Sequence, residues 1–82
     1  MKGRRTHQQI YEYTAFFDQN EDGGYTVTIP SLPGLVTQGE DLDDARTMAE
    51  DAIRCYIEAL KKRRSSIPRE RSAAQMRIGV TV

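Results

Sequence analysis

The alternation of apolar and polar residues predicts four strands in this chain. Residues 10–18 place apolar side chains on both faces of an alternating pattern, which is typical of a strand in the middle of a sheet. Residues 25–29 carry three apolar side chains on one face, and residues 35–39 form a shorter run. Residues 76–82 alternate again, so we expect a last strand with one buried face. Its apolar positions are Met76, Ile78, Val80 and Val82.

A helix is predicted between the third and the fourth strand. Over Leu42–Arg63 apolar residues recur at steps of three and four, so one stripe of the helix is apolar. Asp41 is expected to cap the first turn, and Asp44 to complete a capping box with it. Two tight turns precede the helix, at Gly23-Gly24 and at Pro33-Gly34.

These elements in order predict a single α+β domain. A right-handed crossover through the helix would place the last strand parallel to the first and beside it. The predicted fold is therefore β-β-β-α-β, with one long helix packed on a four-stranded mixed sheet. Residues 1–9 show no apolar periodicity and are predicted to be a mobile basic tail. Residues 10–82 form the domain, in which residues 64–75 connect the helix to the last strand.

Charge is divided unevenly along the 82 residues, although the formal net charge is zero. Residues 10–60 hold eleven acids and two bases, a net charge of −9, and the rest of the chain carries +9. A division of this kind indicates a charged partner rather than a fold. Apolar residues make up only 38% of the chain. Self-association is therefore expected, most simply as a twofold dimer.

The composition argues against several functional classes. No apolar run is long enough to span a membrane, and no signal-peptide pattern opens the chain. Cys55 is the only cysteine, so no internal disulfide can form, which fits a cytoplasmic protein. His7 is the only histidine and lies in the tail. We therefore expect no metal, no cofactor and no activated nucleophile.

An ordered set of short motifs resembles the HicB family, the antitoxins of HicA–HicB toxin–antitoxin pairs and their stand-alone relatives. The motifs are Asp22-Gly23-Gly24-Tyr25, Ile29 to Gly34, Thr37-Gln38-Gly39, Leu42 and Ala45. The resemblance implies a truncated ribonuclease-H-like fold. Catalysis in ribonuclease H uses carboxylates on the first strand, the first helix and the fourth strand to hold two metal ions. Residues 74–82 contain no acid, so no enzyme is expected.

The resemblance also implies a function. A HicB protein neutralises a HicA-like toxin, a small ribonuclease that cleaves messenger RNA, by covering its active site. The acidic middle of this chain suits a basic partner of that kind. The candidate contact residues are Asp22, Leu32, Glu40, Asp41 and Asp43. The stiff loop around Leu32 either displays the leucine to a partner or is a connector whose leucine covers the sheet.

A small nucleic-acid-binding or regulatory module is the alternative. In that case phosphate contacts would come from Lys61–Arg64, Arg69, Arg71 and the Lys2–Arg5 tail. The acidic middle opposes it, because it would repel phosphate. No helix-turn-helix or ribbon-helix-helix module follows Val82, so operator DNA binding is not expected. A neighbouring gene for a small basic protein with a helix-borne histidine would favour the antitoxin.

Overall fold

A computed structural model describes residues 10–70 and 76–82 of the chain. Three strands, β1 (Phe16–Gln19), β2 (Tyr25–Thr28) and β3 (Val36–Gly39), precede one helix, α1 (Leu42–Lys62). The strands form an antiparallel sheet in the order β1-β2-β3. The helix packs on one face of this sheet, chiefly over β3 and β2. The predicted mobile tail, residues 1–9, lies outside the described residues.

Both predicted turns are present, and each depends on a glycine with positive φ. Between β1 and β2 the N–H of Asn20 donates to the carbonyl oxygen of Gly24, and Gly23 has a φ of 96°. Between β2 and β3 the N–H of Ile29 donates to the carbonyl oxygen of Leu35, and Gly34 has a φ of 82°. These φ values are strained for residues with a Cβ atom, so the two glycines fix where the chain reverses.

The core lies between the sheet and the helix. Three side chains of the β2 strand and the loop after it are fully buried, and small helix residues let the backbones approach closely. The buried core residues are Val27, Ile29, Leu32, Ala45, Ala49 and Ile57. Half-buried aromatic residues of the first strand region and the helix surround them. The alternating burial of residues 11–17 places their odd-numbered side chains on this inner face.

The predicted cap at Asp41 is confirmed, and the predicted capping box is confirmed in one of its two bonds. Asp41 has an extended backbone, and its side chain accepts a hydrogen bond from the N–H of Asp44 at 2.7 Å. The Asp44 carboxylate accepts from the N–H of Glu40, the residue before the cap, at 2.9 Å, and not from the N–H of Asp41 as in a complete capping box. Because the first N–H groups of a helix have no intrahelical partner, the Asp41 side chain that accepts one of them fixes the start of α1.

The predicted four-stranded mixed sheet is wrong, and so is the central position given to the first strand. The sheet has three antiparallel strands with β2 in the middle. Residues 10–15 continue the alternating burial of β1 but pair with no described strand. Residues 76–82 are also unpaired within the described chain, and Met76, Ile78, Val80 and Val82 are each at least 72% exposed.

The segment that follows the helix is tied by hydrogen bonds to the region before β1. Tyr13 donates its hydroxyl hydrogen to the carbonyl oxygen of Pro68. The Glu70 carboxylate accepts hydrogen bonds from the N–H and the hydroxyl of Thr14, and from the hydroxyl of Ser31. The N–H of Thr14 would have bonded to β2 if that strand had been longer. The Glu70 carboxylate accepts this hydrogen bond instead. The chain is held there, at the end of β2, and not at the outer edge of β1.

This tether gives a pH-dependent prediction. Hydrogen bonds from Thr14 hold the pKa of Glu70 below its ordinary value. A group whose folded-state pKa is lowered stabilises the fold above its unfolded pKa, and the contribution is lost as the pH falls through the folded pKa. Glu70→Ala should therefore speed amide exchange at Thr14 and lower the melting temperature at neutral pH, but not in acid. Glu58→Ala, an exposed helix change, is the control, and an equal effect of Glu70→Ala at both pH values would contradict the tether.

Candidate functional site

The sheet face opposite the helix is open, and it carries an apolar row. Phe16 pairs with Thr28, and Thr28 pairs with Val36, so these three residues form one row across the sheet. Phe16 is 38% exposed and Val36 is 59% exposed. Two large apolar side chains on an open sheet face are a feature of protein-binding surfaces. We call this face, with its row of Phe16, Thr28 and Val36, the outer face.

Acidic residues flank the apolar row. Asp18 lies in the neighbouring row with Thr26 and Gln38. Glu12 and Glu40 continue the alternation at the ends of the first and third strands, and both are exposed. The strands β1, β2 and β3 carry no lysine or arginine. The outer face therefore offers an apolar centre with negative charge around it, which complements a basic protein.

An acidic cleft adjoins the outer face where the β1–β2 turn meets the start of the helix. Its volume is about 340 Å³. Carboxylates, amides and backbone line it, and it is wide enough for the end of a long side chain. The lining residues are Asn20, Asp22, Gly24, Gln38, Gly39, Glu40, Asp44 and Met48. Carboxylates beside amide groups suit a guanidinium or an ammonium group from a partner.

The structure brings four of the predicted contact residues to the same end of the molecule. Asp22 and Glu40 line the acidic cleft, and Asp41 and Asp43 lie in the first turn of the helix beside it. Two of the four also have structural partners. Asp22 accepts from the N–H of Gly24 at 2.9 Å, and Asp41 caps the helix. Glu40 and Asp43 are exposed, and a change of their side-chain charge breaks neither of these two bonds.

Leu32 is not displayed to a partner. Its side chain is 0% exposed and packs in the core with Val27 and Ile29. A short turn folds it inward, since the N–H of Leu32 donates to the carbonyl oxygen of Ile29 at 3.0 Å. The prediction of an exposed anchor at Leu32 is therefore wrong, and the alternative, a leucine that covers the sheet, is what the structure has.

The sequence pattern alone does not predict the apolar row of the outer face. Phe16 and Val36 were treated as ordinary strand residues, because their common row depends on strand register. Once the register aligns Phe16, Thr28 and Val36, two apolar side chains face away from the helix. Residues 10–18 carry apolar side chains on both faces, and this pattern is the sequence signal for the row. It was interpreted as a strand in the middle of the sheet.

Within residues 10–70 and 76–82, no group of three or more His, Cys, Asp or Glu side chains could hold a metal ion. Cys55 is a free cysteine and is exposed on the helix. Over the same residues, the structure contains no helix with both the length and the apolar character to cross a membrane.

Comparisons with known proteins identify relatives across most of the chain. Residues 13–79 match a family model described as the HicB-like antitoxin of bacterial toxin–antitoxin systems. A UPF0150 protein of Thermoplasma acidophilum is 46% identical over 59 residues, which cover 72% of this chain and 86% of that protein. A UPF0150 protein of Synechocystis is 37% identical over 65 residues, covering 79% of this chain and 82% of that protein. No solved structure matches.

Proposed function

Because the chain belongs to the HicB-like antitoxin family, we propose that it neutralises a HicA-like toxin, a small basic ribonuclease that cleaves messenger RNA. The family implies a toxin as the partner. The outer face is where we expect that toxin to dock. The antitoxin would act by covering the RNA-binding site and not by chemistry of its own.

The composition of the outer face is the observation that supports this proposal. Phe16 and Val36 supply apolar area at its centre, and Asp18 and Glu40 supply negative charge at its rim. A protein that binds RNA needs basic side chains at its RNA site. Those side chains would be paired with carboxylates in the complex, so RNA and antitoxin would compete for one surface. Apolar anchors set how long such a complex lasts, and charges set how fast it forms.

Two further features belong to the proposal. We place the protein in the cytoplasm, where messenger RNA is the toxin's substrate and a lone exposed thiol such as Cys55 stays reduced. We also propose that it self-associates, because the apolar row of residues 76–82 is exposed in the single chain.

Charge reversal at the acidic cleft should affect association more than dissociation. In the double variant Glu40→Lys with Asp43→Lys, we expect association with the toxin to slow by about tenfold at low salt. The salt dependence of the association rate should become weaker, since fewer long-range attractions remain to be screened. Stopped-flow binding at two ionic strengths measures both effects. The capping bonds of Asp41 and Asp44 are untouched by this change.

The matched control reverses the same number of charges elsewhere. Glu50→Lys with Glu58→Lys changes two exposed helix residues that do not lie on the sheet. This control should slow association far less than the cleft variant. Equal slowing by both pairs would mean that net charge alone steers the encounter. Tight binding to RNA or promoter DNA, without binding to a toxin, would favour a nucleic-acid-binding module.

A further inference from the structure

The last described segment, Met76–Val82, has the pattern of a strand but no sheet to join. Its even-numbered residues form an apolar row, and each of them is at least 72% exposed. Arg77, Gly79 and Thr81 alternate with this row. An apolar row of this kind is stable only when it is covered, and nothing among the described residues of the same chain covers it.

The first strand region has an open edge. Across the β1–β2 turn the N–H of Asn20 points to Gly24, so even-numbered residues of this region direct their backbone groups toward β2. Odd-numbered residues direct theirs away from the sheet. The N–H groups of Tyr13, Ala15 and Phe17 have no hydrogen-bond partner within the described chain. This open edge runs along residues 12–17, beside aromatic side chains that are only half buried.

We propose that a second copy of this chain satisfies both features. Met76–Val82 of one copy adds as a strand to the open edge of residues 12–17 in the other, and the exchange is reciprocal about a twofold axis. The single chain then keeps its own three-stranded sheet, and each sheet gains a strand from the partner copy. The proposal specifies the interface of the self-association proposed above and does not depend on the toxin.

Three properties of the two segments match. A seven-residue strand meets an edge of six residues. The apolar row of the incoming strand would lie on the inner face beside Tyr13 and Phe17, as cross-strand neighbours do. Arg77 would then lie on the outer face, the face that carries Glu12. Opposite charges on one face of neighbouring strands are favourable.

The other sheet edge fits this strand less well. β3 has only four residues before the chain turns into the helix. The N–H of Glu40, which follows it, already donates to the carboxylate of Asp44. An added strand would therefore find few free backbone groups there. The longer edge along residues 12–17 is the one the geometry favours.

Ala15→Pro tests the edge directly. Proline removes one outward N–H and blocks strand addition, but it is tolerated on an edge whose N–H faces solvent. The full-length variant should keep its helical circular dichroism signal and weaken the dimer by about a hundredfold. Sedimentation measures the shift from dimer toward the 9.3 kDa monomer. A folded Ala15→Pro variant that remains fully dimeric would overturn the proposal.

A second pair of variants tests the incoming strand. Ile78→Asp with Val80→Asp places charges in the apolar row, so the dimer should dissociate. Thr81→Asp places a charge on the other face of the same strand, and it should leave the dimer largely intact. If the two sets of variants weaken the dimer equally, the apolar row does not face the partner.

Isotope-filtered NMR then locates the strand without any substitution. One copy carries ¹³C and ¹⁵N, and the other is unlabelled. We expect contacts from Ile78 and Val80 of one copy to Tyr13 and Ala15 of the other. A monomer at about 100 µM, a level at which a stable dimer would be fully formed, would overturn the inference. Contacts only within one chain, or only between two copies of residues 76–82, would also overturn it. None of these outcomes bears on toxin binding, so the antitoxin proposal would stand or fall separately.

Discussion

Gly39→Ala is expected to destabilise the protein by about 3 kcal/mol or more, enough to unfold much of a small domain. Gly39 ends β3, two residues before the helix cap. A Cβ atom there would overlap the backbone nitrogen of Ala45 and lie 2.5 Å from its Cα. The obstructing atoms are backbone atoms in the first turn of α1, so no side chain can move aside. The helix would have to leave the sheet.

Gly79→Ala is the matched control. A Cβ atom at Gly79 meets no atom within 4 Å, so the same chemical change should leave the stability of the single chain nearly unaltered. Urea unfolding followed by circular dichroism measures both variants. A Gly39→Ala variant as stable as the wild type would show that the helix does not approach β3 as closely as described.

The double variant Phe16→Ser with Val36→Ser should abolish toxin neutralisation while the protein stays folded. Both side chains are partly exposed on the outer face and lie in one row. Central apolar anchors of an interface are worth about 2–4 kcal/mol, which corresponds to a loss of roughly 30-fold to 1,000-fold in affinity. The loss should come from faster dissociation, because apolar contacts act after encounter. Surface plasmon resonance separates the two rates.

Leu42→Ser provides the comparison. Leu42 is 54% exposed, but it belongs to the helix and not to the outer face. Its replacement removes a similar apolar area from a different surface. Dissociation unchanged by the outer-face variant, or accelerated equally by Leu42→Ser, would place the toxin elsewhere on the molecule.

Local features of the fold could be predicted from the sequence. The helix cap formed by Asp41 and Asp44 depends on residues three apart, and the turns at Gly23 and Gly34 depend on single residues. The length of the helix also follows from its own periodicity. The structure places each of these within one residue of the predicted position.

Features that depend on a second segment could not be predicted in the same way. Residues 10–15 have a strand pattern, but β2 ends at Thr28, before Pro30, so the ladder between β1 and β2 does not extend to them. The alternation of residues 76–82 indicates a buried face, but a pattern cannot say what buries it. Leu32 lies between two prolines in sequence, and only the return of its loop toward Ile29 shows that it is a core residue.

RNA cleavage by the toxin, titrated with this protein, tests the central claim most directly. The assay uses a HicA-like ribonuclease as the proposed toxin and a messenger RNA fragment as its substrate. We expect cleavage to fall to zero when antitoxin chains equal toxin chains, and to persist when the Phe16→Ser, Val36→Ser variant replaces the wild type. Undiminished cleavage in the presence of excess folded wild-type protein would contradict the claim that this chain is the toxin's inhibitor.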